Sequence, residues 1–332
     1  MPVFTAENEI HQFGIIESPE IHANALQIKN SFPDIPLIVR LHAPNHLVES
    51  LKKRYITFFQ KLRFFLGALR RLKWDLGYWR KYQKENDRDY QFTLEADYIT
   101  APSNAMKDWA VKNWNIATYK ITVIPNIFIP PAQLLNIPIV NDYQYKTVLF
   151  FGRLNVLKGL VTATKVMRKI LLKYPDWKFV VIGDDGNSPN KGLTMKQWMK
   201  SELKLVHHQV IFIEGVSYDQ LPNFIAQSEI VLLPSLFESF SYTCAEAMAA
   251  GKAIVASNAG GMSDLIEDGV SGLLVNPEDE NRQIQILEKL ITDNEMRLTI
   301  STNARDSINN KTLIKKQQAD CLDFYNHIIS NN

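Results

Sequence analysis

The second half of the chain alternates short apolar runs with helix-length amphipathic stretches, and that alternation leaves few folds open. Thr147–Phe151, Lys178–Ile182, Val210–Ile213, Ile230–Pro234, Lys252–Ser257 and Gly272–Val275 read as strands. Gly159–Tyr174, Thr194–Val206, Tyr218–Gln227 and Tyr242–Ala250 read as helices between them, and Glu280–Thr292 and Glu295–Ile308 as helices after the last strand. The strand candidates are continuous runs of β-branched residues and Leu, as expected when both faces of a strand are covered. Repeated strand–helix alternation implies a parallel, doubly wound α/β sheet, whose ligands sit at the carboxyl ends of its strands.

The first half is sparser. Gly14–Glu17, Pro36–Leu41, Asp97–Ala101 and Ile121–Ile124 are strand candidates, and Ala23–Ser31 and Asn104–Trp114 helix candidates. The Pro- and Tyr-containing stretch Pro138–Tyr145 reads as the connection between halves. The expected organisation is therefore a first domain over 1–142, a second over 143–310 and a C-terminal helix within 311–332, spanning Lys311–Ser330.

Charge separates the halves further. Lys and Arg number 37 and Asp and Glu 35, a formal net charge of +2. Yet Lys52–Lys84 holds eleven basic residues against one acid, Asp75. This excludes a uniformly basic nucleic-acid binder and leaves a local surface for an anionic partner. Two cysteines, Cys244 and Cys321, are too few for a disulfide framework, which points to a reducing, cytoplasmic setting. No signal peptide is expected at the start. The longest uncharged stretch, Ile121–Asn141, is interrupted by Pro125, Pro130, Pro131 and Pro138 and does not read as a membrane span.

Two motifs carry chemistry. The first runs from Ser235 through Glu238 and Glu246 to Gly251 and crosses from a strand end into a helix. Ser239, Phe240 and Ser241 bracket the helix start, where unpaired backbone N–H groups and the positive dipole end suit a phosphate. Glu238 and Glu246 flank that anion site, and carboxylates accept hydrogen bonds from sugar diols. The plainer reading, a helix acid and a surface Glu, carries equal weight from chemistry alone. The second motif is Phe150-Phe-Gly152-Arg153-Leu-Asn-Val-Leu-Lys158-Gly159, again at a strand end. Gly152 allows a tight turn, and Arg153 and Lys158 could offer two positive charges to a diphosphate. By itself, a base after a strand is commonly just solvated.

Together the motifs, a Glu-x7-Glu spacing preceded by Gly-Arg-Leu…Lys-Gly, resemble the retaining glycosyltransferases of family 4 (glycosyl transferases group 1), nucleotide-sugar enzymes of the GT-B fold. The resemblance continues through Ala253–Ser257, Gly260-Gly261 and Asp268–Val275 and covers most of 97–308. It implies two Rossmann-like domains and transfer of a sugar, with retention, from a nucleoside-diphosphate sugar to a hydroxyl. The acceptor class it suggests is a glycan or lipid-linked molecule of the cell-envelope polysaccharide type. It further implies that Arg153 and Lys158 hold the diphosphate and Glu246 the ribose hydroxyls. Glu238 and the amides of Ser239–Ser241 would lie by the donor sugar and phosphate, with the loops at Gly183 and Glu214–Val216 bordering the base. Pro36–His42 is similar to the family strand that ends in a histidine, which makes His42 a candidate contact for the transferred sugar; a lone histidine is otherwise more often structural. Residues 1–35 lack the family's opening glycine-rich loop, so an incomplete first domain is expected. An inactive or split donor-binding partner, and a GT-B-shaped epimerase or phosphorylase, are the alternative readings.

No cofactor and no metal site are expected. Asp184-Asp185 reads as a solvated turn, and His207-His208 as an improbable zinc pair. In the basic segment, Tyr55, Phe58, Phe59, Leu62, Phe65, Leu66 and Leu69 fall on one face of an expected basic aromatic helix within 52–84. That helix packs on the first domain with a solvated basic face, or meets an anionic membrane at the inner leaflet, or clamps a lipid-phosphate acceptor. Nucleic acid is the least favoured partner, since no RNA-binding motif accompanies the aromatics.

Overall fold

The computed structural model describes residues 2–139, 144–190 and 192–330. The chain divides into two compact units, Met1–Ile124 with Ala319–Asn332, and Pro125–Gln318. The expected boundary at 142/143 falls outside the described residues.

In the first unit, β1 (Ile16–Pro19), β2 (Leu37–Arg40), β3 (Tyr98–Ala101) and β4 (Ile121–Val123) form a parallel sheet in the order β1-β2-β3-β4. Leu37, Ile38 and Val39 are fully buried, as the unbroken apolar run requires. Helix Asn104–Trp114 starts at Ser103, whose hydroxyl accepts from the Met106 N–H, and buries Met106, Ala110 and Trp114. Asp89 is buried and accepts from the N–H groups of His22 (3.0 Å) and Asn45 (2.8 Å), tying two connections together. The helix expected from Ala23 begins only at Leu26, because His22 and Ala23 adopt positive φ (64° and 52°). Helices Pro2–His11, Asn45–Lys53 and Arg88–Leu94 were not marked by the sequence pattern.

The basic segment is not the single helix expected over 52–84. Lys52 and Lys53 close helix Asn45–Lys53, and a new helix, Phe58–Leu69, starts from a capping box in which Thr57 and Gln60 satisfy each other's backbone N–H groups. Beyond Leu69 the chain turns back through Leu72 (φ 54°) and Gly77 (φ 52°). Only glycine fits at 77, where a Cβ would meet the Phe64 ring at 2.4 Å.

The second unit contains β5 (Thr147–Phe151), β6 (Lys178–Ile182), β7 (Val210–Ile213), β8 (Ile230–Leu233), β9 (Ala253–Ser257) and β10 (Leu273–Val275). All pair in parallel, in the order β10-β9-β8-β5-β6-β7. The order reverses between β5 and β8, which opens a crevice at their carboxyl ends. The core beneath it joins Leu149, Phe151, Val231, Leu233, Ile254 and Ala256 of the strands to Cys244, Ala247 and Met248 of helix Tyr242–Ala249. Each buried Leu, Val, Ile, Phe or Met side chain of this core contributes about 1.5–3 kcal/mol on burial. Alanines at 245, 247 and 249, all fully buried, let this helix approach the sheet closely and fix where its N-terminus points.

Two expected helices differ at their ends. Thr194–Val206 resolves into Met195–Glu202 and a 3-10 turn Lys204–Gln209, parted at Leu203 (φ −94°, ψ 13°). The helix expected from Tyr218 begins at Leu221, with Pro222 in its first turn, where the missing N–H costs nothing. Among the described residues no helix is long and apolar enough to cross a membrane. The two units, each with its own parallel sheet, make a GT-B type α/β protein of two Rossmann-like domains.

Candidate functional site

Strands β5 and β8 are neighbours at the reversal, so the loops leaving them meet directly. The Leu236 N–H donates to the Leu157 carbonyl at 2.8 Å. Gly159 (φ 69°) starts helix Leu160–Lys173 against the end of β8; a Cβ there would lie 1.7 Å from the Pro234 carbonyl oxygen. Gly152 and Gly183 play the matching role between β5 and β6, since a Cβ on Gly183 would fall 1.9 Å from the Gly152 carbonyl oxygen. Of these glycines, Gly152 (φ 141°) and Gly159 belong to the second motif, and Gly183 lies outside both.

Lys158 closes a 3-10 turn, Val156–Lys158, whose cap is Asn155; the Asn155 amide oxygen accepts the Lys158 N–H at 3.2 Å. The turn aims the lysine at β8, where its ammonium pairs with the Glu238 carboxylate. Both side chains are largely shielded from water, at 22% and 17% exposure. Glu238 is fixed from behind by the double glycine. Gly260 (φ 118°) bridges it, and the Gly261 N–H donates to its carbonyl at 2.6 Å. Sequence alone places 158 and 238 eighty residues apart; the strand reversal joins them.

Ser241 caps the next helix, its hydroxyl accepting from the Cys244 N–H at 3.2 Å. The first-turn N–H groups of Tyr242 and Thr243 therefore have no partner within the helix, and they sit at its positive end. Ser239 and Phe240 are half-buried just before it, and the Phe240 ring lies 5.0 Å from that of Tyr242. Glu246, one turn on, is buried at 8% exposure in a hollow lined by Pro131, Leu134, Tyr218, Leu221 and Pro222. Burial pushes its carboxyl up to about 7, offset in part by a hydrogen bond from Tyr218. Burial, with the Glu238 charge second, likewise raises the Cys244 thiol to about 12, so it is no nucleophile.

Arg153 is exposed and pairs with no acid among the described residues. A further hollow of 430 Å³ opens beyond β6 and β7, between Gly183, Asp184, Lys196, Lys200 and Glu214, at the loops that the family resemblance implies would border the base. Asp185 is occupied as a structural acceptor: one oxygen takes the N–H groups of Gly186 and Lys196, each at 2.9 Å. His207 and His208 lie in the 3-10 turn Lys204–Gln209, and the His207 Nδ1 contacts the Lys204 carbonyl at 3.0 Å.

His42 belongs to the first unit, two residues beyond β2. Its backbone N–H meets both oxygens of Glu20 at 3.0 Å, and its Nδ1 contacts the Arg40 carbonyl at 2.9 Å. Glu20 is wholly buried, with one oxygen 3.6 Å from Nδ1, and its hydrogen bond raises the imidazole above its usual range against the opposing effect of burial. Glu20, Asn155 and Tyr218 escaped sequence reasoning. Only Asn155, a cap residue just before a basic turn, leaves a local signal.

The arrangement is a helix N-terminus, a shielded Lys–Glu pair and a buried carboxylate at one topological switch point, with an exposed arginine on the same loop as the lysine. It can neutralise a bound anion and accept hydrogen bonds from a hydroxylated ligand. The chain is 30% identical over 231 residues to D-inositol 3-phosphate glycosyltransferase of Corynebacterium jeikeium, covering 65% of this chain and 54% of that protein. It spans about half the length of the curated relatives it matches. In fold it is similar to sucrose-phosphate synthase of Thermosynechococcus elongatus, with a TM-score of 0.71 at 18% identity, covering 100% of this chain and 77% of that one. It is also similar to Anabaena HepE, solved in complex with UDP, with a TM-score of 0.58 at 19% identity, covering 90% and 89% of the two chains. The sequence model of the glycosyl transferases group 1 matches residues 138–307, a segment that holds the Arg153–Lys158 loop, Glu238, Glu246 and the double glycine, and the chain belongs to that family.

Proposed function

We propose that the chain moves a sugar from a nucleoside-diphosphate sugar to a hydroxyl acceptor with retention at the anomeric carbon. The observation that carries this reading is the shielded Lys158–Glu238 pair beside the capped helix start at the β5/β8 reversal. Cleavage of the sugar–phosphate bond builds negative charge on the leaving diphosphate. Lys158, Arg153 and the amides at the Ser241 cap stabilise it where it develops. Charge-assisted bonds of this kind each contribute about 1.5–3 kcal/mol. Glu246 accepts from the ribose hydroxyls, and Glu238 orients Lys158 and lies by the donor sugar. In the first unit, His42 is the candidate contact for the transferred sugar. No carboxylate is assigned as general base. The leaving diphosphate, departing on the side from which the acceptor arrives, takes the acceptor proton, which is the path that retention without a two-carboxylate mechanism requires.

The named relative acts on an inositol phosphate, and the basic first-unit segment is compatible with an acceptor bearing phosphate. We propose an acceptor among glycan or lipid-linked hydroxyl compounds of the cell envelope, used on the cytoplasmic side. The test is calorimetry of UDP, GDP and ADP with the wild type and with Lys158→Ala. The reading expects binding of one of these that weakens on the order of tenfold or more in the variant. Unchanged affinity in a folded Lys158→Ala protein refutes the assignment.

A further inference from the structure

We propose that the hairpin 58–82 of the first unit is a docking surface for an anionic lipid bilayer, an inference that goes beyond sugar transfer and does not depend on it. Helix Phe58–Leu69 carries two separate apolar stripes. One holds Phe58 and Phe65 and meets the returning chain, which sets Trp74 and Trp79 against Phe65 (5.6 and 6.0 Å) and Trp79 against Phe58 (6.3 Å), while Phe58 itself keeps 64% exposure. The other, Phe59, Leu62 and Leu66, repeats at helical spacing, with Phe59 at 79% exposure, Leu66 at 49% and Leu62 half-buried between them. The hairpin's far end adds Leu72 at 96% and Trp74 at 77%.

A soluble surface rarely collects this many large apolar side chains without a partner. The chemistry of that partner follows from what rims the stripe. Arg63, Gly67 and Arg70 line one hollow of 330 Å³ together with Phe59, Leu62 and Leu66. Over 58–82 as a whole there are seven bases and one acid, Asp75. Long basic side chains beside exposed aromatic and leucine residues match the two layers of a bilayer surface. The apolar groups enter the acyl boundary while guanidinium and ammonium groups stay at the phosphates. An acidic protein surface would meet the charges but offer nothing to the aromatic groups. A second copy of this chain would bring the same bases together and repel.

The capping box at Thr57 and the ring contacts make the hairpin a preformed element, so docking needs no folding step. It presents the first unit to the membrane face where a lipid-linked or glycolipid hydroxyl would be found.

The experiment is flotation of the full chain with vesicles of phosphatidylcholine alone or mixed with phosphatidylglycerol, at low and high salt. The proposal expects retention on the mixed vesicles at low salt, weaker retention at high salt, and little on neutral ones. Phe59→Ser with Leu66→Ser, and separately Arg63→Glu with Arg70→Glu, each lower partitioning by roughly tenfold or more. These side chains point to solvent or rim it, so a melting curve matching wild type checks that the fold is kept. Any of three results overturns the proposal: no retention on mixed vesicles at low salt, equal retention on neutral vesicles, or a concentration-dependent dimer that Phe59→Ser with Leu66→Ser abolishes.

Discussion

Glu246 offers a test in which stability and binding move in opposite directions. Its carboxyl ordinarily titrates near 4.5, and burial beneath Tyr218, Leu221 and Pro222 pushes it to about 7. A tenfold change in protonation is about 1.4 kcal/mol, so ionising Glu246 in the folded chain costs about 3 kcal/mol more than in the unfolded one. The folded value is raised, so the sign is fixed. Below pH 4.5 the group is protonated in both states and no penalty exists; the penalty grows as pH rises and is complete above 7. Glu246→Gln keeps the shape and the acceptor for Tyr218 but cannot ionise. Urea unfolding should therefore find the variant about 3 kcal/mol more stable than wild type at pH 8 and nearly equal to it at pH 4.5. The same variant should bind the cognate nucleoside diphosphate more weakly at pH 8, because a carboxylate accepts more strongly from a ribose diol than an amide does. A buried charge that weakens the fold at working pH and strengthens ligand binding is the trade expected of a functional residue. A variant no more stable than wild type at pH 8, or equally stabilised at both pH values, would refute the reasoning. It would mean that Glu246 stays hydrated and that its place in the hollow is not what sets its charge.

Two further outcomes follow from contacts on the same elements. Gly260→Ala puts a Cβ 2.2 Å from the Glu238 carbonyl oxygen, short of ordinary contact at 3.4 Å, so the Glu238 loop must move by more than an ångström; nucleoside-diphosphate affinity or turnover should fall on the order of a hundredfold, and a value within threefold of wild type at unchanged melting temperature would count against Glu238 being positioned by this turn. In the first unit, Glu20→Gln should lower the His42 titration followed by NMR, since Glu20 is what raises it above 6.5; a raised histidine adds stability that is present below 6.5 and lost as pH climbs through its folded value, so the variant's deficit against wild type should shrink over that climb.

The strands of the second unit were legible because their cause is local. An unbroken run such as Thr147–Phe151 or Lys178–Ile182 can only be a strand covered on both faces, and the structure gives those bounds. The Ser241 cap and the glycines of the two motifs were legible for the same reason, since each answers a constraint within a few residues. The basic segment shows where local pattern fails. Its apolar positions fit one long helix, but two stripes of different use share them, and the break at Leu72 and Gly77 is set by rings from the returning chain packing on Phe58, Phe64 and Phe65. Tyr218 was expected in a helix and lies outside it. Its hydroxyl is tied to a residue in a different element, which no sequence period encodes.

The sequence by itself determined that this chain builds parallel α/β sheets and that a basic loop and a two-glutamate loop follow strands of one of them. Hydrophobic period and turn chemistry act over a few residues and can be read in order. Only the tertiary structure decided that those loops are neighbours, that Lys158 meets Glu238 with Gly260 behind it, and that Glu246 is buried while Arg153 is not. These depend on strand order, which reverses at β5 and β8. Strand order is set by how whole helices pack on the sheet, so it has no signature at any one residue.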